Sequence, residues 1–254
     1  PTKYKNIAGF NKAANSGSKS NNYFNFAKDV RTMPPGATRT THKTYEEVYV
    51  PPPTQPPLEN EEFVQVNEAF DPVLAQAFSN FTKLNRIQSK VYPAAYHSNE
   101  NLLICAPTGA GKTNIAVMTM LRTIRNHIED GVIMKDNFKI IYVAPMKALA
   151  AEMTASFASR LKPLRLKVRQ LTGDMQLTKR EIEETQVIVT TPEKWDVITR
   201  KSNDNAMTEL VKLLIIDEVH LLNEDRGSVI ECIVARTLRQ VEQTQSLIRI
   251  VGLS

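Results

Sequence analysis

The stretch Leu102-Leu103-Ile104-Cys105-Ala106-Pro107-Thr108-Gly109-Ala110-Gly111-Lys112-Thr113 decides how this chain reads. It opens as a short apolar strand, passes a loop with two glycines, and enters a segment, Lys112 to Ile128, whose apolar residues recur at helical spacing. A strand, loop and helix in that order form a phosphate cradle. Glycines let successive backbone N–H groups curl around phosphate oxygens, the lysine reaches the β and γ phosphates, and the next hydroxyl holds Mg²⁺. Ala106, Pro107, Thr108, Gly109, Ala110, Gly111, Lys112 and Thr113 fit this pattern, with Ala106 standing where the strict form has glycine. Lys112 and Thr113 are therefore expected to bind nucleotide phosphates, Thr113 also as a metal ligand.

An acidic partner belongs at a second strand end. Leu213-Leu214-Ile215-Ile216-Asp217-Glu218 supplies it, with Asp217 expected to hold Mg²⁺ through its water shell and Glu218 to polarise the water that attacks the γ phosphate. Lys112, Asp217 and Glu218 are the expected catalytic residues, and the pairing of loop and acids points to hydrolysis of the nucleotide as well as its binding.

Outward from these two segments, short apolar strands alternate with helices. Strands are expected near Asn101–Cys105, Lys139–Ala144, Leu166–Leu171, Val187–Thr190, Leu213–Asp217 and Ile248–Gly252. Helices are expected near Lys112–Ile128, Ala148–Leu161, Thr178–Glu184, Glu193–Arg200 and Ser228–Glu242. Uninterrupted apolar strands such as LLIID belong to a parallel sheet covered on both faces, and strict alternation with helices makes an α/β doubly wound fold. Upstream, Asp71-Pro72 reads as a capped helix start, and a helix from Arg86 past Tyr92 is expected to bend or restart at Pro93.

The 254 residues divide by composition near residue 60. Eight of the 14 prolines lie in residues 1–60, with the polar run Asn11 to Asn22 and the PPPTQPP of Pro51 to Pro57, so this part reads as an extended low-complexity arm. One short strand, Tyr45 to Val50, is expected within it, and residues 61–254 are expected to form the folded lobe. At 42% hydrophobic the chain has enough apolar residues for a core, which excludes a wholly disordered or fibrous class. No apolar run is long enough for a membrane span and no signal peptide opens the chain, so a soluble, intracellular protein without a membrane partner is expected. Pro1 stands first in place of methionine, as in a piece of a longer chain. Cys105 and Cys232 each sit in an apolar run and read as buried reduced thiols, and four scattered histidines show no metal-ligand spacing.

The net charge of +5 invites a nucleic-acid reading, but residues 1–60 hold 8 Lys/Arg and 4 Asp/Glu, leaving 24 against 23 for the rest. Most of the excess therefore belongs to the arm. Within the lobe, Arg160, Lys162, Arg165, Lys167 and Arg169 cluster with no acid between Glu152 and Asp174, and read as a solvated face.

With APTGAGKT read beside Asp217-Glu218-Val219-His220, the chain resembles a DExH-box helicase of superfamily two. Phe81 and Leu84-Asn85-Arg86-Ile87-Gln88 resemble the region in which a glutamine, here Gln88, reads the adenine edge. Ala144-Pro145-Met146-Lys147-Ala148-Leu149 resembles motif Ia, and Leu171-Thr172-Gly173-Asp174 and Thr190-Thr191-Pro192-Glu193 resemble the Gly turn and motif Ib. The resemblance thus implies nucleic-acid contacts at Pro145, Met146, Lys147, Gly173, Thr191, Pro192 and Glu193. It adds Val219 and His220 to the ATP site, with His220 linking nucleotide to a second lobe. Gly252-Leu253-Ser254 looks like motif III cut after its serine. Plainer readings stand beside these: Gln88 as a solvated helix residue, Met146 and Trp195 as core, His220 as packing, and Thr191-Pro192-Glu193 as a helix start.

His220 to Gly227, Val234 to Gln240, TPEKWD and LNRIQSKV narrow the likeness to the large Ski-like helicases with two cassettes in tandem. Within them the chain is most similar to the branch of the ribosome-quality-control trigger complex and the activating signal cointegrator complex, with the spliceosomal, small-nuclear-RNA-unwinding branch as the near alternative. The arm agrees, since Arg39 and Tyr45 to Pro52 resemble the segment before the first cassette. The resemblance implies a RecA-like first lobe, ATP and Mg²⁺ as cofactors, and ATP-driven 3′ to 5′ translocation on RNA. It further implies a second lobe and second cassette, partner subunits, the ribosome as a target, and a cytoplasmic or nuclear site of action. Two other classes compete: a non-hydrolysing docking cassette, against which the intact Lys112, Thr113, Asp217 and Glu218 argue, and another phosphate-loop enzyme such as a kinase or GTPase, which Gln88 and the Thr-Pro-Glu turn disfavour.

Overall fold

Strands of Val, Ile and Leu flanked by amphipathic helices produce the layered fold that their pattern dictates. The computed structural model describes residues 35–51, 63–173, 175–200 and 205–254. The chain divides into two units, Pro1–Glu59 and Asn60–Ser254. In the first, β1 (Thr38–Thr41) pairs antiparallel with β2 (Glu46–Tyr49), Thr38 opposite Tyr49, and an ion pair joins Arg39 to Glu46 at 3.2 Å. The expected strand over Tyr45 to Val50 is there as β2. The Asn11 to Asn22 run and residues 52–57 of the expected arm lie outside the described residues.

In the second unit the remaining strands are β3 (Leu102–Ile104), β4 (Ile128–Glu129), β5 (Val132–Ile133), β6 (Lys139–Val143), β7 (Val168–Leu171), β8 (Val187–Thr190), β9 (Val211–Ile216) and β10 (Arg249–Leu253). Its helices are α1 (Val66–Ala69), α2 (Pro72–Ala75), α3 (Arg86–Tyr92), α4 (Lys112–Arg125), α5 (Lys147–Leu161), α6 (Lys179–Glu183), α7 (Pro192–Arg200), α8 (Asn205–Glu209) and α9 (Gly227–Thr244). Six strands form one parallel sheet in the order β3-β10-β9-β6-β8-β7. Alternation along each central strand sorts the core into two layers. Ile140, Tyr142, Leu213 and Ile215 pack with α4 and α5, whereas Ile141, Val143, Leu214 and Ile216 pack with Trp195 of α7 and Ile230 and Ile233 of α9. Burying an Ile or Leu side chain contributes about 1.5–3 kcal/mol, so these layers hold the strand ends, and the loops beyond them, in fixed register.

Buried cations tie the margins. Arg249, 3% exposed, donates to the carbonyls of Ala94 (2.7 Å), Ala95 (2.9 Å) and Glu100 (2.8 Å), fastening the turn after α3 to β10. Burial pulls its guanidinium down to about 10. Lys139 caps the end of α6 by donating to Ile182, Glu183 and Thr185.

Several expectations are corrected. Both cysteines are exposed. β3 is an edge strand whose second face is left bare, with Leu103 65% exposed, and Cys232 falls on the outer side of α9, between the inward Ile230 and Ile233. The helix over Lys112–Ile128 stops at Arg125. Asp130 and Gly131 both adopt positive φ, the two-residue turn that joins β4 to β5 and takes Ile128 into the hairpin. Asp71 does precede a helix with Pro at its first position, but its carboxylate makes no cap. It accepts from Tyr96 O–H at 3.1 Å and pairs with Arg125 at 3.3 Å. The basic cluster is not one solvated face. Lys162, Arg165 and Lys167 are exposed as expected, but Arg160 turns inward, donating to Asn114 Oδ1 and lying over Phe78 and Phe81, while Lys167 pairs with Glu184, which caps the end of α6, and Arg169 with Glu181 of α6.

Candidate nucleotide and nucleic-acid site

At the carboxyl ends of the strands, the loop between β3 and α4 turns through Gly109 (φ +82°) and Gly111 (φ +83°), conformations that disfavour any side chain. Ala110 N–H donates to Pro107 at 3.1 Å, closing the turn, and Lys112 Nζ donates to Ala106 O at 2.8 Å across it. The last residues of the chain brace the loop from below. Ser254 N–H donates to Ile104 and Ala106 N–H donates to Ser254.

The Asn85-to-Gln88 spacing builds a capping box at the start of α3. Gln88 N–H donates to Asn85 Oδ1 (2.9 Å) and Asn85 N–H to Gln88 Oε1 (3.0 Å). The same two side chains then reach the phosphate loop: Asn85 Nδ2 donates to Ala110 O (2.9 Å) and Gln88 Nε2 to Gly111 O (3.2 Å). Gln88 is 3% exposed, which removes the solvated-helix reading; its amide holds its own helix cap and the loop together.

Asp217 follows β9, its N–H donating to Val143 O. Tyr142 O–H donates to Asp217 Oδ2 at 2.7 Å and Glu218 N–H to Oδ1 at 3.0 Å. Burial holds the Asp217 carboxyl above the usual range, the Tyr142 hydrogen bond opposes that rise, and the Glu218 charge adds to it. Burial and the facing Asp217 push the Tyr142 hydroxyl far up. Tyr142 is a site residue that the motifs miss; the signal was a lone hydroxyl in the buried, otherwise apolar run Ile140-Ile141-Tyr142-Val143.

Glu218 adopts a left-handed backbone (φ 54°, ψ 50°), an uncommon conformation for a residue with a Cβ. His220 Nδ1 lies 3.2 Å from Glu218 Oε2 and 3.4 Å from Ser254 Oγ, so His220 bridges the acidic corner to the end of β10 and is not a packing residue. Val219 instead packs against the sheet, where a Cβ on Gly252 would come within 3.0 Å of it.

A second row lies beside this corner. Met146, 54% exposed, and Lys147 stand at the start of α5, so Met146 is not core as the plainer reading expects; its extended backbone at the cap position carries it clear of the helix. Trp195 is core, 3% exposed. A Cβ on the exposed Gly173 would lie 3.8 Å from Lys147 Nζ, so these two expected contacts meet. Pro145, Thr191 and Pro192 are buried, and Glu193 is exposed at the first turn of α7. The Glu193 carboxylate pairs with Arg226, which also donates to Pro145 O at 2.5 Å.

Residues 85–254 match the family model of the DEAD/DEAH box helicases. The chain is 61% identical to the DExH-box ATP-dependent RNA helicase DExH14 of Arabidopsis thaliana over 223 residues. It is 60% identical to activating signal cointegrator 1 complex subunit 3 of Homo sapiens over the same length, each time covering 87% of this chain and 10% of the relative. The chain thus spans about a tenth of the length of these relatives. Among solved structures, Mss116p bound to ssRNA and AMP-PNP matches with a TM-score of 0.64 at 19% identity, over 77% of this chain and 41% of that one. The helicase MrfA bound to DNA and AMPPNP matches with 0.61 at 19% identity, over 76% and 27%. The fold is theirs, the RecA-like parallel sheet. On the matched motifs and the level of identity, this chain belongs to the DEAD/DEAH-box helicase family.

Proposed function

We propose that the chain is the first ATP-binding lobe of an ATP-dependent RNA helicase, in the N-terminal of two tandem Ski-like cassettes. The observation that carries this reading is the convergence, at one end of the sheet, of the Lys112 loop, the Asp217-Glu218 corner and the row from Met146 to Glu193. Thr113 and Asp217 offer the hard oxygen donors that Mg²⁺ takes, and Asp217 is preset by Tyr142 and the Glu218 N–H. Held there, Mg²⁺ would supply positive charge against the nucleotide phosphates. Lys112 exchanges its bond to Ala106 O for phosphate oxygens, and Glu218 accepts the proton of the attacking water. Lys147, the Gly173 turn and the N-terminus of α7 face nucleic-acid phosphates, which fix position without reading sequence.

RNA as the substrate is supported by the relatives' names, in which an RNA helicase and a cointegrator-complex subunit stand at 60–61% identity. The finer parts of the proposal rest on the motif resemblance alone: translocation 3′ to 5′, and the splitting of stalled or collided ribosomes in the cytoplasm; assembly with partner subunits is supported by the word subunit in the second relative's name. Hydrolysis in such a machine needs an arginine finger from a second lobe, a contribution of about 10³–10⁵ in rate, so residues 1–254 alone should turn over ATP very slowly.

The test is the full-length parent with Glu218→Gln, assayed with single-stranded RNA and DNA oligonucleotides. The expected result is RNA-stimulated ATPase in the wild type, a fall of at least about 10²-fold in the variant, and unchanged affinity for a fluorescent ADP analogue. Undiminished turnover in the variant, or stimulation by DNA alone, overturns the proposal.

A further inference from the structure

Arg226 lies in the His220-to-Gly227 stretch and has been given no role so far, yet its guanidinium joins two of the motif segments. Nε and Nη2 each lie 2.5 Å from Glu193 Oε1, in the first turn of α7, and Nη1 donates at 2.5 Å to Pro145 O, the carbonyl that precedes Met146 and Lys147. Arg226 itself is the residue before α9, nine positions after Asp217. The path between them is stiff. Asp217 and Glu218 lead into the short helical turn Val219–Asn223, and Gly227 seats the first turn of α9 on that turn so closely that a Cβ there would stand 2.0 Å from Leu222 O. Farther along the same two helices, the buried Asp196 of α7 takes Arg236 of α9 and Arg200. Helices α7 and α9 are therefore joined at two points, and α9 is joined to the acidic corner at its own start.

On the helicase reading above, we propose that Arg226 is a positioning residue that holds the two phosphate-facing segments, Pro145-Met146-Lys147 and the α7 N-terminus, in register with each other and with the Asp217-Glu218 corner. Its planar fork suits this task because three N–H groups serve two acceptors on different segments at once, which a lysine ammonium on a flexible stem does not reproduce. It also neutralises Glu193, whose free carboxylate would repel a phosphate backbone passing the helix N-terminus. Arg226 touches neither nucleotide nor RNA; its action passes through the geometry of Glu193 and Pro145.

The experiment uses the full-length parent and a single-stranded oligouridine, with Arg226→Gln, Arg226→Lys, Glu193→Gln and the Arg226→Gln/Glu193→Gln double variant. Expected for Arg226→Gln is a rise of roughly five- to thirtyfold in the RNA concentration that half-saturates ATPase stimulation, with RNA-free turnover and ADP-analogue affinity unchanged. Arg226→Lys, which keeps charge and overall fold, should fall between wild type and Arg226→Gln, and the double variant should be no worse than Arg226→Gln. A wild-type half-saturation value in both Arg226 variants overturns the proposal, as do additive effects of the two Gln substitutions or a parallel loss of ADP-analogue affinity. A wild type that RNA does not stimulate overturns the helicase reading itself and is seen before any variant is compared.

Discussion

Gly111→Ala tests whether the phosphate loop is held by Gln88. At φ +83° an alanine Cβ carries the left-handed strain of about 1–2 kcal/mol. It would also stand 2.2 Å from Gln88 Nε2, far inside contact, so the Gln88 amide must leave. Two hydrogen bonds go with it, Nε2 to Gly111 O and Asn85 N–H to Oε1, each about 0.5–1.5 kcal/mol. The sum is about 2–5 kcal/mol. Gly109 has nearly the same φ, +82°, but nothing within 4 Å of its Cβ position, so Gly109→Ala should cost only the strain, about 1–2 kcal/mol. Denaturant unfolding of the 254-residue chain measures both. The sharper form adds Gln88→Ala. With the clashing amide already gone, Gly111→Ala should again cost only strain, which makes the pair non-additive by about 1–3 kcal/mol. Equal costs at the two glycines, or additive costs at 88 and 111, would refute the hold of Gln88 on the loop.

Two further outcomes follow from the margins of the sheet. Arg249→Met leaves three carbonyls without their donor, Ala95 O among them inside the core, and should lower stability by about 2–4 kcal/mol, or roughly 5–15 °C in Tm; Arg249→Lys should recover part of this, and a thermal scan that shows no loss for the Met variant removes the account. Cys105 and Cys232 should both react with a thiol reagent in the native protein, giving two thiols per chain before denaturation; a thiol that appears only on unfolding contradicts the bare face of β3 or the outer side of α9.

The fold was legible because its signals are local and strong. Each of the six sheet strands coincides with an expected one to within two or three residues, since an apolar run between helix-spaced segments has few other places to go. The loop and the acidic corner stand out for a different reason: on the proposed reading, phosphate chemistry asks for residues such as Gly109, Gly111, Lys112, Asp217 and Glu218 at fixed spacing, and the structure brings them to one end of the sheet. What stayed hidden depends on strand order and on distant partners. Cys105 reads as core until β3 is known to be an edge. The basic run Arg160 to Arg169 lacks acids in sequence, but α6 brings Glu181 and Glu184 to it across the fold. Tyr142 lies 75 residues from the acid it serves, and Arg226 lies 33 from Glu193 and 81 from Pro145, so no local pattern announces either. The Asp130-Gly131 turn was legible in principle, and the helical spacing that runs into it outweighed the turn signal.

The acidic corner explains why so much of the fold converges on it. Glu218 carries about 1–3 kcal/mol of backbone strain in its left-handed conformation, and Asp217 keeps a carboxylate where burial disfavours its charge. Neither cost would persist in a loose loop, which would relax both by swinging into water. Here Asp217 is held by N–H donation to Val143 O and by Tyr142 and Glu218 on its two oxygens, while His220 and Ser254 brace the Glu218 side from β10. Tyr142 and Val143 belong to β6, fully buried between the two core layers, so the restraint is drawn from the most stable part of the sheet. The residues whose chemistry needs a fixed direction therefore sit at the end of the strand pair with the least freedom to move, and the strain at Glu218 is a consequence of that placement.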